Sequence, residues 1–526
     1  MSTNLSWYTF TSDDKQKADF KVAAIDGYES LGNSYHFTID LSSSNVDLDL
    51  LSLIGKPASL ELAPWNGEKV FFYGIVTTAK SLGQIAGDNL LYRVELEPRL
   101  SKLRHNITNS AFAETSSSLT IADVIKKVLD RNGLTTNVDF DVSKLSAPVY
   151  KRSFIMQYQE SDYDFLSRWL ELEGVYYYFE HDSITKKEKI VFVDNTSHLT
   201  SDSIELNYRP FESVALDQYK TTLLEFFENR QAGTKSVVTK NYNFRQASNE
   251  IKAQVDNQAV AWGNRYWFGD NLTNNDQAQH YSKIREESIN LRSTYFEGRA
   301  YAAGIKPGVK ISVSAHCRNS LNASYRVIKV RHQGTQTGFG IQRSEKTSAN
   351  IDENFYSVSF EAIPENNQFR LPLVTPRPRI SGYLPARVQA DVSGDVDLDE
   401  YGQYRVKLLF EQDDTVSVRV RMATPYNSPS ETGHTGFHFP LLKDSEVALA
   451  FMDGDLDQPV IVGVFNNSLS LSPVNYSNPN KNRIVSKLGH EFHLDDESNT
   501  RAMRMHSAQG GGMMMIGSFG GNFSDD

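Results

Sequence analysis

A single cysteine, Cys317, stands in 526 residues. One thiol closes neither an internal disulfide nor a four-cysteine zinc site, so folding in a reducing compartment is the simplest reading. Such a lone thiol is expected as a small buried hydrophobe rather than a nucleophile. Positive charge is not in excess: 54 Lys and Arg face 65 Asp and Glu, for a net charge of −11. That is the wrong sign for a surface that neutralises phosphates. No run approaches the ~20 apolar residues of a membrane span. The opening Met1-Ser-Thr-Asn-Leu-Ser-Trp7 lacks a basic stretch followed by an apolar core. No signal peptide is therefore expected, and any export is expected to bypass the general secretory route. Nucleophile-elbow, P-loop and dinucleotide fingerprints are missing, as is any repeat with a period of about 20–50 residues.

What is present leans towards β structure. Aromatics make up 11% of the chain, mostly 29 Phe and 25 Tyr, which suit pleated surfaces. The length fits about three to five domains. Tyr35–Leu41 and Tyr92–Leu96 alternate, and Pro64-Trp65-Asn66-Gly67 carries an Asn-Gly turn signal before Val70–Val76. Short strands broken by turns predict a barrel or sandwich. Helical spacing follows. Within Leu119–Asn132, residues Ile121, Val124, Ile125, Val128 and Leu129 share a face, with Thr120 as N-cap and Gly133 as stop. Ser161–Glu173 opens on the pair Ser161 and Asp164, carries Phe165, Leu166, Trp169 and Leu170 on one stripe, and ends at Gly174. Val175–Phe179 reads as a buried strand, and Asp276–Ser288 as a weaker helix. Strands return at Val309–Val313, Tyr325–Val330 and Tyr356–Phe360.

Pro364, Pro372, Pro376 and Pro378 then mark 364–380 as a Pro-rich linker. In 381–470, five or six short strands predict a small closed barrel of OB-fold type; Val406, Leu408 and Phe410 alternate there, as do Val416 to Met422. In 480–526, Phe492 and Leu494 alternate, Ala502–His506 alternates, and Met513–Ile516 follows a glycine run. A sheet this small is marginal alone and must find partners on other chains, which points to an oligomeric β-prism. The expected class is mainly β with a few helices: a β-barrel hub domain over 1–363, the OB-fold barrel, and the start of an intertwined trimeric β-helix.

Three blocks carry a family resemblance. Tyr158-Gln-Glu-Ser-Asp-Tyr-Asp-Phe-Leu-Ser-Arg168, continuing to Glu173-Gly-Val-Tyr-Tyr-Tyr-Phe179, resembles the N-terminal hub domain of VgrG proteins. Phe439-Pro-Leu-Leu-Lys-Asp-Ser-Glu-Val447, Phe451-Met-Asp-Gly-Asp-Leu-Asp-Gln-Pro-Val460 and Gly463-Val-Phe-Asn466 resemble that family's OB domain. Gly489-His-Glu-Phe-His-Leu-Asp-Asp496 resembles the first strand of its trimeric β-helix. The blocks occur in the family's order and span nearly the whole chain. The resemblance implies a homotrimer that caps the hexameric Hcp tube of a type VI secretion system and meets baseplate components. It further implies a PAAR-type tip and effector proteins, and a puncturing device that contacts the target membrane transiently. Such a protein is assembled in the bacterial cytoplasm and then secreted. A phage tail or an extracellular contractile particle would use the same architecture. The β-helix segment is shorter here than in many family members.

The chemistry-bearing motifs weigh against an enzyme. His490-Glu491-Phe492-His493 spaces its histidines by three rather than the four a helical zinc site requires, and a solvated strand face is the simpler reading. Asp453, Asp455 and Asp457 lack the remaining ligands of a calcium loop and read as a tight turn. Asp413-Asp414 and Asp395–Glu400 read as solvated loops. A murein hydrolase needs a carboxylate pair, and Asn467–Lys481 is too short to hold such a domain. Charge argues against nucleic acid as a ligand of the barrel, since 381–470 holds six Arg and Lys against fourteen Asp and Glu. A modular carbohydrate-binding protein would instead be a monomer with exposed Trp or Tyr platforms. The sequence assigns no catalytic, cofactor-binding or metal-binding residues and no cofactor.

Overall fold

The computed structural model describes residues 6–13, 19–66, 69–84, 89–113, 119–146, 152–209, 221–257, 261–336, 354–391, 396–411, 416–431, 435–498 and 501–517. The chain divides into two compact units, Met1–Arg379 with Asp455–Gln458, and Ile380–Gly454 with Pro459–Asp526.

The first unit opens with β1 (Tyr8–Ser12), β2 (Lys21–Ser30), β3 (Asn33–Ser43), β4 (Pro57–Leu62), β5 (Val70–Gln84) and β6 (Leu90–Glu97), ordered β1-β4-β5-β6-β3-β2. Alternation decides their faces. Phe37, Ile39 and Leu41 of β3 are fully buried and pair across to Leu96, Val94 and Tyr92 of β6. The intervening Asp40 takes a two-pronged bond from Arg93, at 2.7 and 3.1 Å. Gly27 lies opposite Phe37, where a Cβ would sit 2.1 Å from the ring, so only glycine allows that close approach.

A helical layer follows: β7 (Ile107–Ala113), α1 (Ile121–Arg131), β8 (Phe140–Asp141), β9 (Phe154–Ser161), α2 (Asp162–Glu173), β10 (Tyr176–Asp182) and β11 (Lys187–Val193). Thr120 caps α1 in a full capping box with Asp123, and Ser161 caps α2 by accepting the Asp164 N–H. Gly174 ends α2 in the left-handed region at φ 70°. Val124, Ile125, Val128 and Leu129 of α1 pack with Phe165, Leu166, Trp169 and Leu170 of α2 in one core. Beneath them lies a polar knot. Asp162, fully buried, receives Arg131, Asn106, Asn132 and Gln157. Arg168, itself buried, binds Glu160 through two nitrogens at 2.9 and 2.7 Å.

The unit is completed by β12 (Ser203–Tyr208), β13 (Thr222–Arg230), β14 (Gly233–Asn241), β15 (Ile251–Asp256), β16 (Ala261–Phe268), α3 (Asn275–Asn290), β17 (Thr294–Tyr301), β18 (Lys310–Ser314), β19 (Ser324–Thr335) and β20 (Phe355–Pro364). The order β19-β18-β12-β13-β17-β20 is closed into a ring by β19–β20 pairing, and β19 also pairs with β2. Each chain thus carries two six-stranded modules joined through β19. A separate sheet, β15-β14-β16, is backed by α3.

The stretch 364–380 differs from the spacer its prolines suggested. Phe369 and Leu371 are buried in a core with Tyr176 and Val193. Arg370 donates to the Gly174 and Asp194 carbonyls and pairs with Glu287. Glu171 receives the N–H groups of Val374 and Thr375, at 3.0 Å each. Proline count reports backbone stiffness, whereas these side chains strap the segment onto the first unit.

The second unit holds a closed five-stranded barrel, β21 (Leu384–Gln389), β22 (Tyr404–Leu408), β23 (Val418–Met422), β24 (Glu446–Phe451) and β25 (Pro459–Phe465), ordered β21-β22-β23-β25-β24. Its core includes Ala386, Val388, Val406, Val447, Leu449 and Ile461. Then come β26 (Lys481–Val485), β27 (Glu491–Asp495), β28 (Ala502–His506) and β29 (Met513–Gly517), paired in chain order as an antiparallel meander.

Candidate functional site

The meander β26–β29 has two unlike faces, because each strand alternates and the register is continuous. One transverse row reads Ile484, Phe492, Met505 and Met514, and the next Leu494, Met503 and Ile516. Both rows lie on one face. That apolar face is open: Met503, Met505, Met514 and Ile516 are 47%, 51%, 54% and 61% exposed. Large apolar groups left half in water are a surface awaiting a cover.

The opposite face is polar and centres on Glu491. Glu491 accepts from Arg483 Nε at 2.6 Å and from Arg504 at 2.9 Å. Partial burial opposes ionisation of Glu491, but the two guanidinium groups outweigh it and hold the carboxyl below its ordinary value. His493 lies between Arg483 and Arg504 in the register, and burial, helped by these cations, lowers its pKa. The solvated face expected for His490-Glu491-Phe492-His493 is therefore corrected at His493, which is 8% exposed. His490 precedes β27, and its ring accepts the Ala508 N–H at 3.4 Å. The two histidines do not converge.

A second uncovered surface is the row Trp262, Tyr266 and Phe268 on β16, 75%, 60% and 64% exposed. Its signal in the sequence is Trp262-Gly-Asn-Arg-Tyr-Trp-Phe268, an aromatic run at strand spacing.

The remaining acidic motifs are structural. Asp453 (φ 52°) and Gly454 (φ 71°) make the tight turn. Asp455 and Asp457 both take Arg377, at 2.6 and 2.9 Å, and Asp457 also accepts the Met156 N–H at 2.8 Å. Burial and the adjacent Asp457 raise the pKa of Asp455 against the pull of Arg377. Asp397 is tied to Arg405 and Arg419 rather than simply solvated. Asp395, Asp413 and Asp414 lie outside the described residues, as does the tail Gly520–Asp526. Cys317 is exposed, against the buried position expected for it, because it sits in the connection between β18 and β19. Among the described residues no group of three or more His, Cys, Asp or Glu converges as a metal site. No helix among them is long and apolar enough to cross a membrane.

Comparison with known proteins fits this architecture. The phage tail baseplate hub (GPD) family matches residues 28–338. The chain is 27% identical over 482 residues to the type VI secretion system spike protein VgrG5 of Pseudomonas aeruginosa, covering 89% of this chain and 58% of that protein. To VgrG1b of the same organism it is 25% identical, over 93% of this chain and 65% of the relative. The chain thus spans less than two thirds of either relative. Among solved structures, the fold is similar to the E. coli c3393 protein, described as a type VI secretion component resembling T4 tail proteins gp27 and gp5. That likeness has a TM-score of 0.63 and 21% identity, and covers 87% of this chain and all of that one. A PdpA–VgrG complex is similar at a TM-score of 0.64 and 11% identity, over 97% of this chain and 96% of that chain. With more than half its length matched by the family and about nine tenths of it aligned with VgrG spike proteins, the chain belongs to the phage tail baseplate hub (GPD) family and is of the VgrG type within it.

Proposed function

We propose that this chain is a non-catalytic hub and spike subunit of a type VI secretion system that works as a homotrimer. The observation that carries the reading is the open apolar face of β26–β29. A sheet whose large apolar side chains stand half in water presents a surface for a partner. Two further copies placed about a threefold axis would enclose Phe492, Leu494 and their neighbours as a shared prism core, with the largely buried Arg483–Glu491–Arg504 cluster on the opposite face. The two six-stranded modules per chain support the other end of the reading: three copies present six modules, a number that suits a hexameric tube such as Hcp. Baseplate components would meet the hub, and a PAAR-type tip and effectors would ride on the spike. Secretion with the tube and transient contact with a target membrane complete the cycle. Mechanical resistance would come from interchain packing and ladder hydrogen bonds, which need no reactive side chain.

Mass in solution tests this. Light scattering on the full chain should give about three times the 59.3 kDa of one chain, and Leu494→Lys should return it to monomer with the first unit still folded. A parent that is monomeric at every concentration overturns the reading. The exposed Trp262–Tyr266–Phe268 row favours a second reading, a carbohydrate-binding module, which predicts that monomer together with glycan binding lost in Trp262→Ala.

A further inference from the structure

The sheet β15-β14-β16 of the first unit has two edges, and they are finished differently. β15 turns Lys252, Gln254 and Asp256 to water, the polar and charged finish that keeps an edge from pairing with foreign strands. At the matching positions across β14, β16 carries Phe268, Tyr266 and Asn264, with the two rings 64% and 60% exposed. No proline interrupts β16, and Arg265 is its one charged residue. Gly263 is in the left-handed region at φ 68° and turns the strand, so the regular run is Asn264–Phe268. Among the described residues β14 is the only strand beside it. The core behind the sheet joins Ile251 and Ala253 of β15 to Ala278 and Tyr281 of α3 and takes in no residue of β16. An open edge of this kind is a template for one more strand.

The two faces of that edge select the strand. One face offers the rings of Tyr266 and Phe268. The other offers Arg265, which pairs with Val237, and Lys235 two residues back along β14; both cations are exposed. Further along that face Trp267 is stacked by Arg285 of α3 at 5.1 Å. Charge is locally reversed. From Gly233 to Phe268, Lys235, Lys240, Arg245, Lys252 and Arg265 stand against Glu250 and Asp256, a surplus of three positive charges in a chain of net charge −11. Glu250 is held by Lys240 at 2.6 Å. A neutral glycan would use the rings but neither the cations nor the open ladder. A nucleic acid strand would use rings and cations but has no peptide groups to pair with the ladder. An extended acidic peptide uses all three.

We propose that the outer edge of β16 binds an extended peptide in which apolar and acidic residues alternate. It adds as a fourth strand, its apolar side on Tyr266 and Phe268 and its carboxylates at Arg265 and Lys235. The surface lies within the first unit and rests on neither the trimer nor secretion.

Fluorescence anisotropy on the full chain tests this, with a labelled peptide of alternating Val and Glu, eight residues long to match β16. Binding should saturate and weaken as salt rises. Tyr266→Lys with Phe268→Lys should lower the affinity by more than about tenfold. Lys235→Glu with Arg265→Glu should switch the preference to a Val–Lys peptide, a reversal that misfolding does not imitate. The Val–Glu peptide N-methylated at alternate residues, in either register, should bind at least about tenfold more weakly, because its donors for the ladder are gone. Amide exchange across Asn264–Phe268 should slow on binding, with none of that slowing in β26–β29. No binding, equal binding of the Val–Lys or the N-methylated peptides, or preference for oligodeoxythymidine or a chitin oligosaccharide overturns the proposal. A chain mass that falls on Tyr266→Lys assigns the edge to a second copy and overturns it as well.

Discussion

The strands β3 and β6 of the first unit and β27 and β28 of the C-terminal sheet alternate in the same way but end differently buried. Phe37, Ile39, Leu41 and Val94 are sealed in their own chain, whereas Met503 and Met505 stand about half exposed. Alternation tells which side chains share a face; it does not tell what covers that face. In the first unit the cover is the same chain closing on itself. In the meander the chain supplies only one wall.

The largest expected effect breaks the first half of that contrast. Phe37→Ala leaves a cavity in a closed core and should cost about 3–5 kcal/mol, read from the urea midpoint of the first unit. Phe492→Ala should leave that midpoint unchanged while lowering the temperature at which the proposed trimer dissociates. If both variants shift only the first unit, the meander is not an interface. Next comes the polar knot. Asp162→Ala strands the Asn132 and Gln157 amides and the Arg131 guanidinium, and should cost about 3 kcal/mol. Hydrogen exchange across α1 and α2 should rise, with none in β26–β29.

Acid separates the two regions further. Burial in an aromatic cage with Tyr35 and Phe72 pushes His181 down to about 3. A depressed histidine leaves the first unit stable above the unfolded value near 6.5, and that stability is lost as pH falls from there towards 3. Glu491 is also depressed, from a carboxylate's ordinary value of 4.5, so its contribution to the meander persists until pH drops below that point. Urea midpoints of the first unit should therefore decline between pH 6.5 and 5, and the meander, whose His493 is depressed too, should soften over the same range before its carboxylate step. His181→Gln should flatten the decline, and Glu491→Gln should erase the later acid step. The smallest effect is Thr120→Ala, which removes one helix cap and should cost about 1 kcal/mol. No counterpart is expected in the second unit.

Some elements were legible because their signals are local. The caps Thr120 and Ser161 and the stop at Gly174 act within one turn, so α1 and α2 could be read from neighbours in sequence. The barrel strands around Val406 and Val418 and the alternation around Phe492 were readable for the same reason. Strands β14 and β15 were missed because their lysines and glutamines mask the periodicity; they are held by α3 from behind. Arg377 could not be matched to Asp455 and Asp457, 78 and 80 residues away. The strap at 364–380 was misread because prolines announce stiffness, not docking, and its buried Phe369 and Leu371 carry no period of their own.

For this protein the sequence by itself determined the local conformations, the side of each strand that is apolar, and the family blocks from Tyr158 to Asp496. Those depend on periodicities and caps spanning a few residues. Only the tertiary structure decided which apolar faces close and which stay open, since burial is a property of what another segment brings to the surface. The meander β26–β29 marks that boundary: its pattern is written in the chain, and its uncovered wall is visible only once the chain is folded.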